Sequence, residues 1–305
     1  MVLSTVLRPS VRAAFSGLID YAGLFPPAKL TMAEAQREYD TAQSGPHAWM
    51  LGRFSIPAPS LMAQGGLRGP FSVIADPNVD SLAGVAAARR RGEPIEALEI
   101  PIGKSFSPLR TSISPDEVLD AVGALDADLV ESGLRDLPVF LEIPRAGAWR
   151  GLLSDTIGSL ARMRLGAKLR CGGITAEAFP SVNEVSEFIA EAVRHAIPFK
   201  ATAGLHHPVR HVNAATGFMM HGFLNILAAA ALAGRVEREA LPSIVAEEDP
   251  TAFGFVDDAF TWRSQRVGVA DLITTRGQRF IAYGSCSFAE PVDDLAAMRV
   301  IQAPR

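Results

Sequence analysis

Tyr21-Ala22-Gly23-Leu24-Phe25-Pro26-Pro27 closes the first β-type run of the chain, and its reading separates two folds that share one alternating pattern. A doubly wound open sheet places a glycine-rich phosphate loop here, whereas this segment has one glycine followed by bulky residues and two prolines. A closed barrel needs no such loop. Outward from this point, short β-type runs fall near Ile19–Leu24, Trp49–Ser55, Phe71–Asp76, Ala97–Ile102, Val139–Ile143, Ala167–Cys171, Phe199–Ala203 and Phe280–Ser285. Helical segments separate them, which is the pattern of a parallel sheet wrapped by helices. Eight runs in this order predict an α/β fold, a single (β/α)8 TIM barrel.

Helix ends support the same division. Thr31 with Glu34 and Ser181 with Glu184 read as capping boxes, and Ser114-Pro115 and Pro291 place proline in a first helical turn. Gly92 and Gly166 stand where the preceding helices should stop. No Gly/Ser-rich or charged linker divides the sequence, so residues 1–305 read as one domain. The stretch from Gly234 to Arg276 is too long for one barrel helix and predicts extra helices inserted between strands seven and eight. Leu-Glu-Ile-Pro occurs at Leu98–Pro101 and again at Leu141–Pro144, suggesting quasi-equivalent strand ends.

A chain of 305 residues, 48% apolar and 20% charged, has the material for one large core and is not a disordered composition. The formal charge of −4 gives no attraction to polyanions, and the one basic triplet, Arg89-Arg90-Arg91, suits the last turn of a helix before Gly92. Nucleic acid is therefore not an expected partner. Neither is a membrane: the longest apolar run, Phe223 to Ala233, is interrupted by Asn225 and falls short of the roughly 20 residues a span needs. Arg8 and Arg12 are not followed by a signal-type apolar stretch, and Cys171 and Cys286 allow at most one bridge. Reduced thiols and a cytoplasmic location are the expectation.

Function is read from charges that interrupt apolar strands. In Ala167-Lys168-Leu169-Arg170-Cys171, period-two alternation sends both cations to the face opposite Ala167, Leu169 and Cys171. Helices cover a barrel's outer face, so Lys168 and Arg170 are expected in the lumen, and likewise Lys200, Glu99 and Glu142. Arg53 on the second strand and Asp76 closing the third join them as substrate-binding candidates. Ion pairs that merely fix the barrel would account for any one of these charges, but desolvating so many together needs a stronger reason. A lysine amine attacks a carbonyl only when unprotonated, and Arg170 and Lys200 beside a partly buried Lys168 are expected to favour the neutral form. Glu99 would then move protons. Cys171 is expected to pack against the helices, and His47 and His195 receive no role.

These residues resemble the class I aldolases of the deoxyribose-phosphate aldolase type, in which a Schiff-base lysine ends strand six and a second lysine ends strand seven in Phe-Lys-x-x-Gly. Phe199-Lys200-Ala201-Thr202-Ala203-Gly204 is similar, with the glycine one place later, and the lysine separation, 200 − 168 = 32, is of the expected size. The resemblance implies Lys168 as the Schiff-base residue, Lys200 as the perturbing lysine and Glu99 as the relay acid. The chain differs in having Leu169-Arg170-Cys171-Gly172-Gly173 where the family has Ser/Thr residues, a glutamate for the relay aspartate, and a histidine-rich segment after Gly204. This implies a distant and differently specialised group.

His206, His207, His211 and His221 follow strand seven within sixteen positions. They suit substrate contact, with His206 and His207 foremost, or ligation of a divalent metal together with Glu142; a mobile polar loop is the bland reading. Gly284 and Ser285 end strand eight before a helix whose N-terminus suits a phosphate or carboxylate, although Ser287 with Glu290 also reads as ordinary capping. The leading expectation is a carbon–carbon lyase of class I aldolase type that needs no cofactor. A metal-dependent hydrolase, lyase or isomerase using the histidines is the alternative, and a barrel whose lysines only bind an anionic substrate is a third. Each takes a small-molecule substrate, and each is compatible with a homo-oligomer.

Overall fold

Eight parallel strands close on themselves in the computed structural model, which describes residues 7–106, 113–145, 149–173 and 175–303. Helix α1 (Pro9–Phe15) precedes β1 (Ile19–Tyr21), and α2 (Met32–Ser44) leads to β2 (Leu51–Pro57). The chain continues through α3 (Ala58–Ala63), β3 (Phe71–Ile74), α4 (Val79–Arg90), β4 (Ile95–Pro101), α5 (Pro115–Glu131) and β5 (Val139–Glu142). Then come α6 (Trp149–Arg162), β6 (Gly166–Arg170), α7 (Val182–Arg194) and β7 (Phe199–Thr202). A small hairpin of β8 (His211–Val212) and β9 (Met219–Met220) precedes α8 (Phe223–Leu232) and α9 (Leu241–Val245). Strands β10 (Phe253–Val256), β11 (Ala259–Trp262) and β12 (Gln265–Gly268) form a separate antiparallel sheet before α10 (Val269–Gln278). Finally β13 (Phe280–Ser285) closes the barrel between β7 and β1, and α11 (Ala289–Ala297) follows.

Aromatic side chains on the outer faces of the strands join the barrel to its helices. Tyr21, Phe54 and Phe71 point outward, with Tyr39 of α2 stacked 5.2 Å from Phe54. Phe199 stacks on Phe280 at 5.4 Å and meets Phe188 of α7 edge-on, while Tyr283 lies flat on Phe223 of α8 at 5.0 Å. Rings of this size bury much of the apolar area that stabilises the fold. Cys171 faces the same layer, fully buried, and burial pushes its thiol up to about 12. It is a packed apolar residue, as its place in the alternation implies.

The cap expectations hold at Thr31, Ser114 and Ser181, each in a reciprocal box with the glutamate three residues on. Gly92 ends α4 in the left-handed region, at φ 90. Gly166 does not end a helix. Arg164 takes the left-handed turn after α6, at φ 52, and Gly166 opens β6 because a Cβ there would lie 2.6 Å from the Phe140 ring and 3.0 Å from the Pro198 carbonyl. Nor is the long insertion wholly helical. Besides α9 and α10 it contains β10, β11 and β12, joined by two-residue turns at Asp257-Asp258 and Arg263-Ser264. Phe15 of α1 packs 5.3 Å from Phe255, and Ser10 donates its backbone N–H to the Asp257 carbonyl at 3.2 Å, so the N-terminal helix and the insertion hold each other. No helix among the described residues is long and apolar enough to cross a membrane.

Two glycine substitutions test this packing. Gly166→Ala should destabilise by about 1–3 kcal/mol, since neither the buried ring nor the backbone carbonyl can yield cheaply. Gly123→Ala, in α5, meets nothing within 4 Å and should stabilise by about 0.4–1 kcal/mol. Urea unfolding of both variants reads the two signs, and equal effects would contradict the proposed packing at Phe140.

Candidate active site

The strand alternation that sends aromatic rings outward sends charge inward. Lys168 and Lys200 are register partners on adjacent strands, and Glu142 is the partner of Lys168 on its other side. Glu99 reaches them from β4. Its Oε2 lies 2.6 Å from Lys168 Nζ, and its Oε1 accepts from Lys200 Nζ and, at 2.6 Å, from the Ser72 hydroxyl. One carboxylate thus bridges two buried ammonium groups.

The two lysines differ in what remains of their hydrogen-bonding capacity. Lys200 Nζ donates to Asp20 Oδ2 at 2.5 Å, to Glu99 and to the Ser72 hydroxyl at 3.0 Å, which uses all three N–H groups. Asp20 is itself held, its Oδ1 accepting the Arg53 backbone N–H at 2.7 Å. Lys168 Nζ has Glu99 at 2.6 Å and Glu142 Oε2 at 3.3 Å, and no third partner among the described residues. Glu142 is shared, because its Oε1 also accepts from Arg170 Nε at 2.9 Å. Lys200 is locked, whereas Lys168 keeps one donor direction open.

Electrostatics follow from these contacts. Burial alone would push the Glu99 carboxyl up, but Lys168 and Lys200 outweigh it and hold Glu99 far below the usual carboxylate range. Glu142 is lowered in the same way by Lys168 and Arg170. The expectation of a lowered Lys168 is corrected here: burial does press its pKa down, but Glu99 and Glu142 together raise it above the ordinary lysine value. The error lay in counting cations on neighbouring positions without the carboxylates that fill the space between them.

Other expected site residues are placed differently. Arg53 pairs with Glu96 at 3.1 Å, near the N-terminal ends of β2 and β4, so its side chain does not join the lysines. Asp76 follows β3 at the rim and is engaged by Lys104 at 2.5 Å. Gly284 faces Thr202 at the mouth, where a Cβ would stand 3.2 Å from the threonine hydroxyl. The Ser285 hydroxyl donates to the Ser287 carbonyl at 2.6 Å and Ser287 accepts the Glu290 N–H at 3.2 Å, so both hydroxyls serve the turn into α11.

Among the described residues none of the four histidines contacts the lysine network. His206 Nδ1 is 3.3 Å from Glu290 and 3.6 Å from Cys286 Sγ, and burial keeps its pKa below the ordinary value. His207 Nδ1 lies 2.6 Å from Asp294, with the His211 ring edge-on at 4.5 Å. His221 is buried elsewhere, donating from Nε2 to the Pro180 carbonyl at 2.7 Å, with Arg210 Nη1 3.4 Å from its Nδ1. Among the described residues no group of three or more His, Cys, Asp and Glu side chains could hold a metal ion. Asp20 and Ser72 are the partners that were not anticipated, although alternation in Ile19-Asp20-Tyr21 and Phe71-Ser72-Val73 already turns them inward.

The sequence matches no family model and no curated protein. Fold and site together define the class: a (β/α)8 barrel whose lumen holds a buried lysine and carboxylate network.

His221 gives a pH test of the loop after β7. Burial, and the nearby Arg210 and Arg145, lower its pKa to about 4 from 6.5. The folded state therefore favours the neutral ring, and the stability this provides is complete above pH 6.5 and is lost as the pH falls toward 4, on the order of 3 kcal/mol. Urea unfolding of the wild type should weaken over that window, and His221→Gln should flatten the slope. Parallel slopes would refute the assignment.

Proposed function

We propose that the chain is a carbon–carbon lyase of class I aldolase type, acting on a small polar carbonyl compound through an imine on Lys168. One observation carries the reading: of two lysines sharing Glu99, Lys168 alone has an N–H without a protein partner among the described residues. An attacking amine needs an open direction, and Lys200 has none. The location supports it too: Lys168 stands level with Glu142, the last residue of β5, and two residues before Arg170, the last of β6, and catalytic residues of this fold gather toward the C-terminal strand ends.

The roles follow from the contacts. Lys168 carries the substrate. Glu99 and Glu142 are the immediate acceptors for the proton the ammonium must lose before its nitrogen attacks the carbonyl carbon. Loss of water from the carbinolamine gives the protonated imine, which accepts the electron pair released when the carbon–carbon bond breaks. Lys200, fixed by Asp20, Glu99 and Ser72, keeps Glu99 positioned between the two nitrogens.

Because Lys168 holds its proton tightly at rest, formation of an adduct trapped by cyanoborohydride should rise steadily with pH from the neutral into the alkaline range. Lys168→Ala should abolish both trapping and turnover. Glu142→Gln removes one raising carboxylate and should move the profile to lower pH, while Lys200→Met removes an ammonium and should move it to higher pH. Peptide mass mapping locates the adduct. Trapping on Lys200 would exchange the two roles, and no adduct on either lysine with a carbonyl compound bound would overturn the imine reading.

A further inference from the structure

We infer that the carbonyl compound is a 2-oxo acid, held by the free end of the Arg170 guanidinium, and that the bond broken is that of a 4-hydroxy-2-oxo acid. The inference rests on the imine at Lys168 and names its substrate. Arg170 is the last residue of β6 and points, by alternation, to the same side as Lys168. Its Nε is occupied by Glu142, but neither terminal nitrogen donates to a described residue, and the side chain is 50% exposed. A planar guanidinium with two unused nitrogens at the mouth is built to take a planar two-oxygen anion.

Spacing sets which anion. Two residues apart on one strand, Lys168 and Arg170 are separated at the backbone by about 7 Å, and the single Glu142 carboxylate touches both heads. A carbonyl carbon bonded to Lys168 Nζ therefore has Arg170 within reach of the next carbon, not of a group several carbons away. A carboxylate adjacent to the carbonyl fits that distance. A phosphate at the far end of a sugar does not.

Charge sets the same limit. Asp20, Glu99 and Glu142 balance Lys168, Lys200 and Arg170, three against three. A monoanion adds one charge opposite a half-used guanidinium, whereas a dianionic phosphate would place two beside three carboxylates. The reaction balances without a further reagent. Lys168 and the 2-oxo group form the imine with loss of water; the C4 hydroxyl proton passes to a carboxylate as the C3–C4 bond breaks. The electron pair moves into the protonated imine to give an enamine, and an aldehyde leaves. Protonation of the enamine at C3 and addition of water then release the shorter 2-oxo acid and the free amine.

The test uses the intact 305-residue chain and three probes: pyruvate, acetaldehyde and dihydroxyacetone phosphate, each with cyanoborohydride. Oxamate, which resembles pyruvate but forms no imine, is titrated separately by calorimetry. Pyruvate should label Lys168 in preference to the other two. Arg170→Gln should lower oxamate affinity, and pyruvate labelling relative to acetaldehyde labelling, by about tenfold or more, the loss expected of a charged hydrogen-bonded pair; the ratio cancels the change at Lys168 itself, whose pKa Arg170 lowers. Equal labelling by pyruvate and acetaldehyde in both proteins, or oxamate affinity unchanged by Arg170→Gln, overturns the 2-oxo acid while the imine stands. Oxamate binding that depends on Arg170, with no carbonyl compound labelling Lys168, instead overturns the imine and leaves the carboxylate site.

Discussion

A carboxylate with a buried ammonium on each of its oxygens organises this barrel. Glu99 sits between Lys168 and Lys200 at a depth where an unpaired ion would cost several kcal/mol, so the surrounding lumen must supply matched charges and hydrogen bonds. Asp20 and Ser72 complete Lys200, Glu142 gives Lys168 a second carboxylate, and Arg170 pairs with Glu142. The small residues of the lumen answer the same demand. A Cβ on Gly52 would fall 2.3 Å from Asp20 Oδ1, so the absence of a side chain there makes room for the carboxylate that holds Lys200. Strands whose interior is usually filled by branched apolar groups are here thinned and made polar around one network.

Much of that network could be read from the chain because a lysine or glutamate between two apolar residues of a strand is a strong contrast. Period-two alternation at Ala167–Cys171, Phe199–Ala201 and the two Leu-Glu-Ile-Pro segments brought Lys168, Lys200, Glu99 and Glu142 to one face, and the eight runs matched the eight barrel strands. Alternation gives a face and not a height along the barrel axis. Arg53 failed for that reason, its pairing with Glu96 lying toward the opposite end. It also leaves charge partners unnamed, which is why the direction of the Lys168 shift was misjudged until Glu99 and Glu142 were seen within 3.3 Å of its nitrogen. The histidines lie on a loop without periodicity, and their partners Glu290 and Asp294 come from α11, some 80 residues on.

The insertion shows a different kind of miss. Phe253-Gly254-Phe255-Val256 and Ala259-Phe260-Thr261-Trp262 are strand-like and separated by two polar residues, a hairpin signal that the expectation of extra helices passed over. Its apolar face is completed by α1, more than 200 residues earlier in the chain, through Phe15 and Phe255. Without that partner the segment has no visible reason to bury its aromatic residues, and short apolar runs of this length do not by themselves distinguish a strand from a buried helix.

The two lysines share a face, a register level and a carboxylate, yet the chain has made them unequal through the strands beside them. Two strands from Lys200, beyond β13, β1 offers Asp20, which is fully buried and whose ion pair among the described residues is with that lysine. Beside Lys168, β5 offers Glu142, which divides its oxygens between the lysine and Arg170 and has a side chain 14% exposed. A group arriving at the mouth can therefore reach the counter-ion of Lys168 through Arg170, but the counter-ion of Lys200 lies sealed below. Carboxylates surround both lysines, and it is beside Lys168 that one of them is tied to a half-exposed group. A lysine with every N–H taken, beside one that keeps an open direction and shares a carboxylate with Arg170, is the asymmetry on which the proposed imine chemistry at Lys168 rests.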